Sequence, residues 1–382
     1  MSTPRRRRLL SAAALGLMVI FTLFLSGLLS PRPTPRYAVT DLGVLPGYAV
    51  SRATAVNSKG DVAGSMDPLG GGDTRAYLYQ NGRMTSLGTL PGGSGSRVRG
   101  MNSAGDVTGV ASLPTGKHAF LYSGGRMRDL STLSGFHDSA GVGINDRGEV
   151  AVNATNSPMQ SGPAQGHVFL YRAGRMAAIG VPIGCSEMHA LGINNAGQII
   201  GDCHWNARHV GPTGPFLYDS RTGMMTVLPM PAPYLRGWVS QVNDAGEVIG
   251  DASLPSGRSH ATLWRGNRMT DLGAPTGYPI SIGESLNSRG EAVGNCFLGL
   301  DSFKGFLSMH AGGDNALRRY LDRSSEHAFV YSGGKMQDLN DLIPRDADWI
   351  LEEAHGINDR GQIVGNGLHH GEKRAFLLTP AQ

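Results

Sequence analysis

Short runs of alternating apolar and polar residues recur along this chain at a spacing of roughly 45 residues, seven times between Tyr37 and Gln382. Each unit reads AFLY, then GRMxDLGTL, then SxAxGIN, then GEVVG. The first run (Ala76–Tyr79, Ala119–Tyr122, Val168–Tyr171, Pro215–Tyr218, Ala261–Trp264, Ala328–Tyr331, Ala375–Leu378) is rich in the aromatic and β-branched residues that strands prefer. A Gly-bearing turn such as SGGR or RAGR leads to a second run built on Met and Leu, which predicts a hairpin. The third and fourth runs flank an Asn followed three residues later by Gly, at Asn57/Gly60, Asn102/Gly105, Asn145/Gly148, Asn194/Gly197, Asn243/Gly246, Asn287/Gly290 and Asn358/Gly361. Asn accepts a hydrogen bond from backbone two residues on, and Gly takes a positive φ where a hairpin closes. An Asn present in every unit has a structural role; one site does not need seven copies.

Counting back from that Asn, the second and fourth positions are mostly small and the first is apolar, as in Ala190, Gly192 and Ile193. Small side chains there let neighbouring sheets approach closely. The chain begins at the second run of a unit (37–43) and ends at the first (374–380), so seven copies of each run exist only if the termini meet. This phase predicts an all-β fold, a seven-bladed β-propeller of four-stranded antiparallel blades closed by pairing 374–380 with 37–43. A β-solenoid is the alternative, but it gains nothing from the phase shift.

HAFLYSGGRMRDLSTL (118–133), GINDRGEV (143–150), HAFVYSGGKMQDLNDLI (327–343) and GINDRGQIVG (356–365) resemble the HAF-type repeat of bacterial exported proteins, over about nine tenths of the chain. The resemblance implies export and a propeller-like fold, and no activity, substrate or catalytic residue. Departures are Arg75, Gly214 and Arg374 at the His position and Val152 at the closing Gly of the fourth run.

The ends of the chain add a targeting expectation. Arg5–Arg8 precede an uncharged run of 21 residues, Leu9–Leu29, long enough to span a bilayer. Residues 1–29 therefore read as a signal anchor, or as a signal peptide if cleaved, and 30–36 as a Pro-rich spacer before the repeat domain 37–382. The expected location is extracytoplasmic, tethered by 9–29 or secreted. The formal charge of +4 comes from the N-terminus: six Arg lie in residues 1–36, leaving 28 of the 34 basic residues against 30 acidic ones in the repeats. That balance argues against a nucleic-acid surface.

In an up-and-down blade the two regular turns share one face. The longer, variable segments share the other, including an insertion at 297–326, and loops on a rigid scaffold are where recognition concentrates. The fourth unit brings Cys185, Glu187, His189, Cys203, His204, Trp205 and His209 to one rim. Two Cys and several His can make a zinc site, but the spacings match no compact metal motif, and a Cys185–Cys203 disulfide is expected, with Cys296 free. The series five before each Asn (Arg52, Arg97, Ala140, His189, Trp238, Ile282, Glu353) and three before it (Thr54, Arg99, Val142, Leu191, Ser240, Glu284, His355) vary where their neighbours do not. They read as differing blade contacts or as the lining of a shallow depression.

The sequence has no HExxH, CxxC, GxSxG or intact phosphate-binding loop. The expectation is accordingly a monomeric, cofactor-free binding scaffold for a protein or glycan, leaning against an enzyme, with Trp205, Trp238, His189, His204, Arg52, Arg97, Glu353 and His355 as contact residues. The alternatives are an enzyme with acid and base residues at the channel mouth (Glu284, Glu353, His355) and a purely architectural protein. A carboxylate pair over the channel favours the enzyme; an aromatic groove around Trp205 and Trp238 favours binding.

Overall fold

The computed structural model describes residues 36–130, 135–156, 166–180, 185–205, 214–298 and 326–381. Its strands form seven four-stranded antiparallel sheets. Six blades are built in chain order from inside outward, and their inner strands are Tyr48–Val56, Gly95–Met101, Asp138–Ile144, Cys185–Ile193, Arg236–Val242 and Ile280–Leu286. The seventh blade runs outward from Trp349–Ile357 through Ile363–His369 and Glu372–Pro380 to the N-terminal strand Tyr37–Asp41. Tyr37 pairs with Pro380 and Asp41 with Phe376, so the termini close the ring as the phase of the repeat predicts. The inner strand is the run before Asn, an assignment the repeat leaves open. Consecutive inner strands touch all the way round, blade seven against blade one included.

Apolar burial lies between blades. One cluster joins Ala63, Leu78, Leu87 and Leu90 of blade one to Val98, Val107 and Phe120 of blade two. Two features of the repeat let the sheets come this close. At Gly143, two before Asn145, a Cβ would lie 3.0 Å from the backbone N of Ile193 in the next blade. The closing Gly of the second strand is excluded from carrying a side chain by the inner strand itself: a Cβ on Gly109, Gly201 or Gly365 would lie 1.8–1.9 Å from the carbonyl oxygen of Arg97, His189 or Glu353. Where Val152 stands at this position, its partner across the ladder is Gly141.

The Asn residues bind blade to blade. The Asn358 side-chain oxygen accepts from the N–H groups of Arg360 and Gln362, both at 3.0 Å, and so holds its own turn. Its amide then reaches the next blade, as do those of Asn102, Asn145, Asn194, Asn243 and Asn287, each donating to the backbone carbonyl of the following Asn at 2.8–3.2 Å. Asn57 completes the circle with a longer bond of 3.5 Å to the Ser103 carbonyl. The result is a ring of side-chain to backbone hydrogen bonds around one end of the channel.

Two expectations need correction or lie out of view. No helix among the described residues is long and apolar enough to cross a membrane, so the fold supplies no transmembrane helix; the run 9–29 lies outside the described residues. Most of the 297–326 insertion also lies outside them.

Candidate active site

Each inner strand carries a β-bulge at the same place, and those of blades one, four and seven carry a second one nearer their start. The register skips one residue at Thr54, Arg99, Val142, Leu191, Ser240, Glu284 and His355, the position three before each Asn. A bulge leaves its extra residue unpaired and re-aims its side chain. All seven bulged residues line a central cavity of about 560 Å³. Towards the Asn ring its lining is apolar, with Val56, Met101, Ile144, Ile193, Val242 and Ile357. Towards the variable face it is polar and charged.

The charges are sorted by blade. Arg52, Arg97 and Arg99 line the cavity from blades one and two, Glu284 and His355 from blades six and seven. In a ring of seven, blades two and six stand three apart, so Arg99 and Glu284 face across the channel. Arg52 is ion-paired with Asp67.

His355 is held from behind. Its Nε2 lies 3.2 Å from Glu353 Oε2, and the same oxygen accepts from Asn366 Nδ2 at 2.9 Å. Asn366 Oδ1 in turn accepts from the Ala53 N–H at 2.9 Å, which ties the pair to blade one. The hydrogen bond from His355, with help from Asn366 and against the effect of burial, pulls Glu353 down to about 2. Burial alone would lower His355, but the bond to Glu353 and the charges of Glu284, Glu353 and Glu326 outweigh it, and its pKa is raised. Glu284 makes no hydrogen bond to a described residue. Burial raises its pKa, the cation of His355 opposes the rise and Glu353 adds to it.

Two further acids are displaced the same way. Burial, with the charges of Glu353 and Glu352, lifts Glu326 to about 7. Burial lifts Asp251 to about 6, against a hydrogen bond from Ser259 and with the charge of Glu284.

Of the sequence-predicted contact residues, Arg52, Arg97 and His355 meet in the cavity, and Glu353 stands behind His355. His189 is on the blade-four rim within reach of Glu187 and Asp202, away from the cavity lining. Trp238 is 41% exposed and also off the lining. His204 and Trp205 sit on the strand Gln198–Trp205, and their side chains lie outside the described set. Cys185 and Cys203 form a disulfide, with sulfurs 2.12 Å apart, and Cys203 is in register with Met188. Cys296 is a free, buried thiol. Among the described residues no group of three or more His, Cys, Asp and Glu side chains is arranged to hold a metal ion.

Three other His–Asp pairs belong to the repeat. His118–Asp129 at 2.8 Å, His260–Asp271 at 3.0 Å and His327–Asp338 at 2.5 Å each join the third and fourth strands of a blade at one repeated position. Their recurrence marks them as blade staples, whereas Glu353–His355 occurs once. Asp67 and Asn366 were not singled out by sequence reasoning, and Arg99 was named only through its place in the variable series three before Asn.

No known family profile matches the chain, and no curated protein sequence matches it. Similarity is found at the level of fold. An oligogalacturonate lyase in complex with manganese superposes with a TM-score of 0.57 at 10% identity, covering 92% of this chain and 98% of that one. The oligogalacturonate lyase of Vibrio parahaemolyticus gives 0.56 at 9% identity, with 91% and 98% covered. A puromycin-hydrolyzing peptidase of Mycobacterium tuberculosis gives 0.54 at 12% identity, covering 92% of this chain and 54% of that one. The leaning against an enzyme is corrected by these findings. Chains of this fold include lyases, and a peptidase that matches over about half of its length, and the cavity is lined by Glu284 and His355 with Glu353 behind, the three residues named for the enzyme alternative. At such identities the shared property is the β-propeller architecture.

Proposed function

We propose that the chain is an acid–base enzyme whose reaction takes place in the propeller channel, with His355 moving the proton. The observation that carries this reading is the 3.2 Å bond between His355 Nε2 and Glu353 Oε2, made by an imidazole that a bulge turns into the cavity. A carboxylate only accepts, so Nε2 carries the hydrogen and Nδ1 is the atom left to take or give a proton. Glu353 is a positioning residue: it fixes the tautomer and steadies the imidazolium. Glu284, on the neighbouring blade and raised by burial, supplies a second proton-carrying group. Titratable groups whose surroundings push their pKa values apart are the arrangement that acid–base catalysis uses. That chains of the same fold include lyases and a peptidase supports catalysis as a class, while the reaction type is assigned from the channel's own groups.

The test is a turnover screen of the full chain with small chromogenic esters and glycosides and with substrates whose elimination product absorbs in the ultraviolet. On any substrate found, His355→Gln is expected to lower kcat by about 10²–10⁴ with the melting temperature little changed. Glu353→Gln is expected to lower kcat and to move the limb of the pH profile that belongs to His355. Undiminished turnover in His355→Gln overturns the reading.

A further inference from the structure

The channel carries both signs of charge, and its cations are not equally matched. Arg52 has Asp67. Arg97 and Arg99 stand two residues apart on the inner strand of blade two, both lining the cavity, and neither guanidinium makes a hydrogen bond or ion pair to any described residue. The bulge at Arg99 adds to their exposure to the same space. Both side chains keep contact with solvent, and partial desolvation inside the channel, with the charge of Arg97, lowers the pKa of Arg99. Two guanidinium groups that line one partly enclosed space and feel each other's charge repel, and an anion shared by them relieves the repulsion. Their planar forks suit an oxyanion with two acceptors on one edge.

The opposite wall limits which anion fits. Glu284 faces the arginines across the ring, with Glu353 behind His355 and Asp251 and Glu326 near enough to act on Glu284 and Glu353 through charge. A second negative group on the ligand would meet these carboxyls. Between the two walls, blades three and four present Val142 and Leu191. The space therefore suits a molecule with one anionic end and an uncharged body.

We infer that Arg97 and Arg99 hold a single carboxylate of the substrate while its uncharged body extends past Val142 and Leu191 towards His355 and Glu284. The inference rests on the acid–base reading of those two residues. It adds the substrate class: a small monocarboxylate.

The experiment is isothermal titration of the full chain at low ionic strength with benzoate, hexanoate and glucuronate, their neutral counterparts benzamide, hexanamide and glucose, and inorganic phosphate. At least one carboxylate is expected to bind where its neutral counterpart does not, and to protect Arg97 and Arg99 from phenylglyoxal, as read by peptide mass spectrometry. Arg97→Gln and Arg99→Gln are each expected to weaken that binding by about tenfold or more. Arg99→Gln is also expected to melt no lower than the wild type, because it removes a like-charge contact; this separates lost recognition from lost folding. Absence of carboxylate binding, unchanged binding in the double variant, or tighter binding of phosphate than of every carboxylate overturns the inference. His355→Gln keeps the two readings distinguishable, since its carboxylate binding is expected still to be weakened by Arg97→Gln and Arg99→Gln. Retained turnover in His355→Gln removes the catalytic reading and leaves the recognition site standing.

Discussion

The side-chain amide of Asn358 donates to the backbone carbonyl of Asn57 across 2.8 Å, at the seam where the last blade meets the first. The same amide reaches Gln362 Oε1 at 2.9 Å, and its oxygen serves two N–H groups of its own turn. At 6% exposure, water cannot replace these partners.

Asn358→Ala is therefore expected to cost about 2–4 kcal/mol, from several hydrogen bonds at roughly 0.5–1.5 kcal/mol each and the buried groups left unpaired. Asn57→Ala should cost less, because its bond to the next blade is the 3.5 Å one. Equilibrium urea unfolding of the two variants measures the difference, and equal losses would show that the inter-blade bond at the seam contributes nothing.

Gly365→Ala places a Cβ 1.8 Å from the Glu353 carbonyl oxygen and 2.6 Å from Phe376 Cζ. Backbone must move, at a cost of about 1–3 kcal/mol or more, and the strand that moves carries Glu353 and His355. Lower stability and an altered pH response of His355 are expected together. Gly180→Ala, where a Cβ meets nothing within 4 Å, is the matched control and should be near neutral. Similar melting temperatures for the two variants would refute the steric account of the closing glycine.

Glu326 makes an unusual contribution to the pH dependence of stability. Its folded pKa of about 7 lies above the unfolded value near 4.3, so the unfolded chain releases this proton first and folding is penalised increasingly as pH rises between those values. Glu326→Gln should gain stability relative to the wild type across that window and hold a constant advantage above it. His355 acts with the opposite charge and the same slope. Its raised pKa stabilises fully below about 6.5, and the contribution is lost as pH rises through the folded value. Urea midpoints of the wild type and of Glu326→Gln from pH 4 to 8 provide the check. A constant difference would mean that Glu326 titrates normally.

The ring was legible because its cause repeats. Seven Asn-x-x-Gly turns, a small residue two before each Asn (with Gln241 as the departure) and the displaced ends at 37–43 and 374–380 all follow from packing rules that act in every blade. The channel was legible only in part. The two variable series contained Arg52, Arg97, Arg99, Glu284, Glu353 and His355, yet nothing local says that the position three before Asn is a bulge. That offset arises from pairing with the next strand, where Ala354 and Gly356 meet adjacent residues Gly365 and Val364 and leave His355 over. The weight placed on Trp238 follows from its residue type; it stays off the cavity lining although Arg52 and Arg97, at the same offset from Asn, belong to it. Glu353 and Asn366 face each other across one hairpin, but the link from Asn366 to Ala53 joins residues 313 apart in sequence, so local pattern carried no trace of it.

The bulges also bear on how such a chain can change. Because each blade delivers one unpaired side chain to the channel at a common height, the interior can be rewritten blade by blade without disturbing the ladder on either side of the substituted residue. Thr54, Val142, Leu191 and Ser240 are the members of that series with no ionisable group, and a combinatorial library confined to these four sites would sample new ligand preferences on a constant frame. Descendants of one propeller could thus diverge in chemistry through single-codon steps while their blades stayed almost the same.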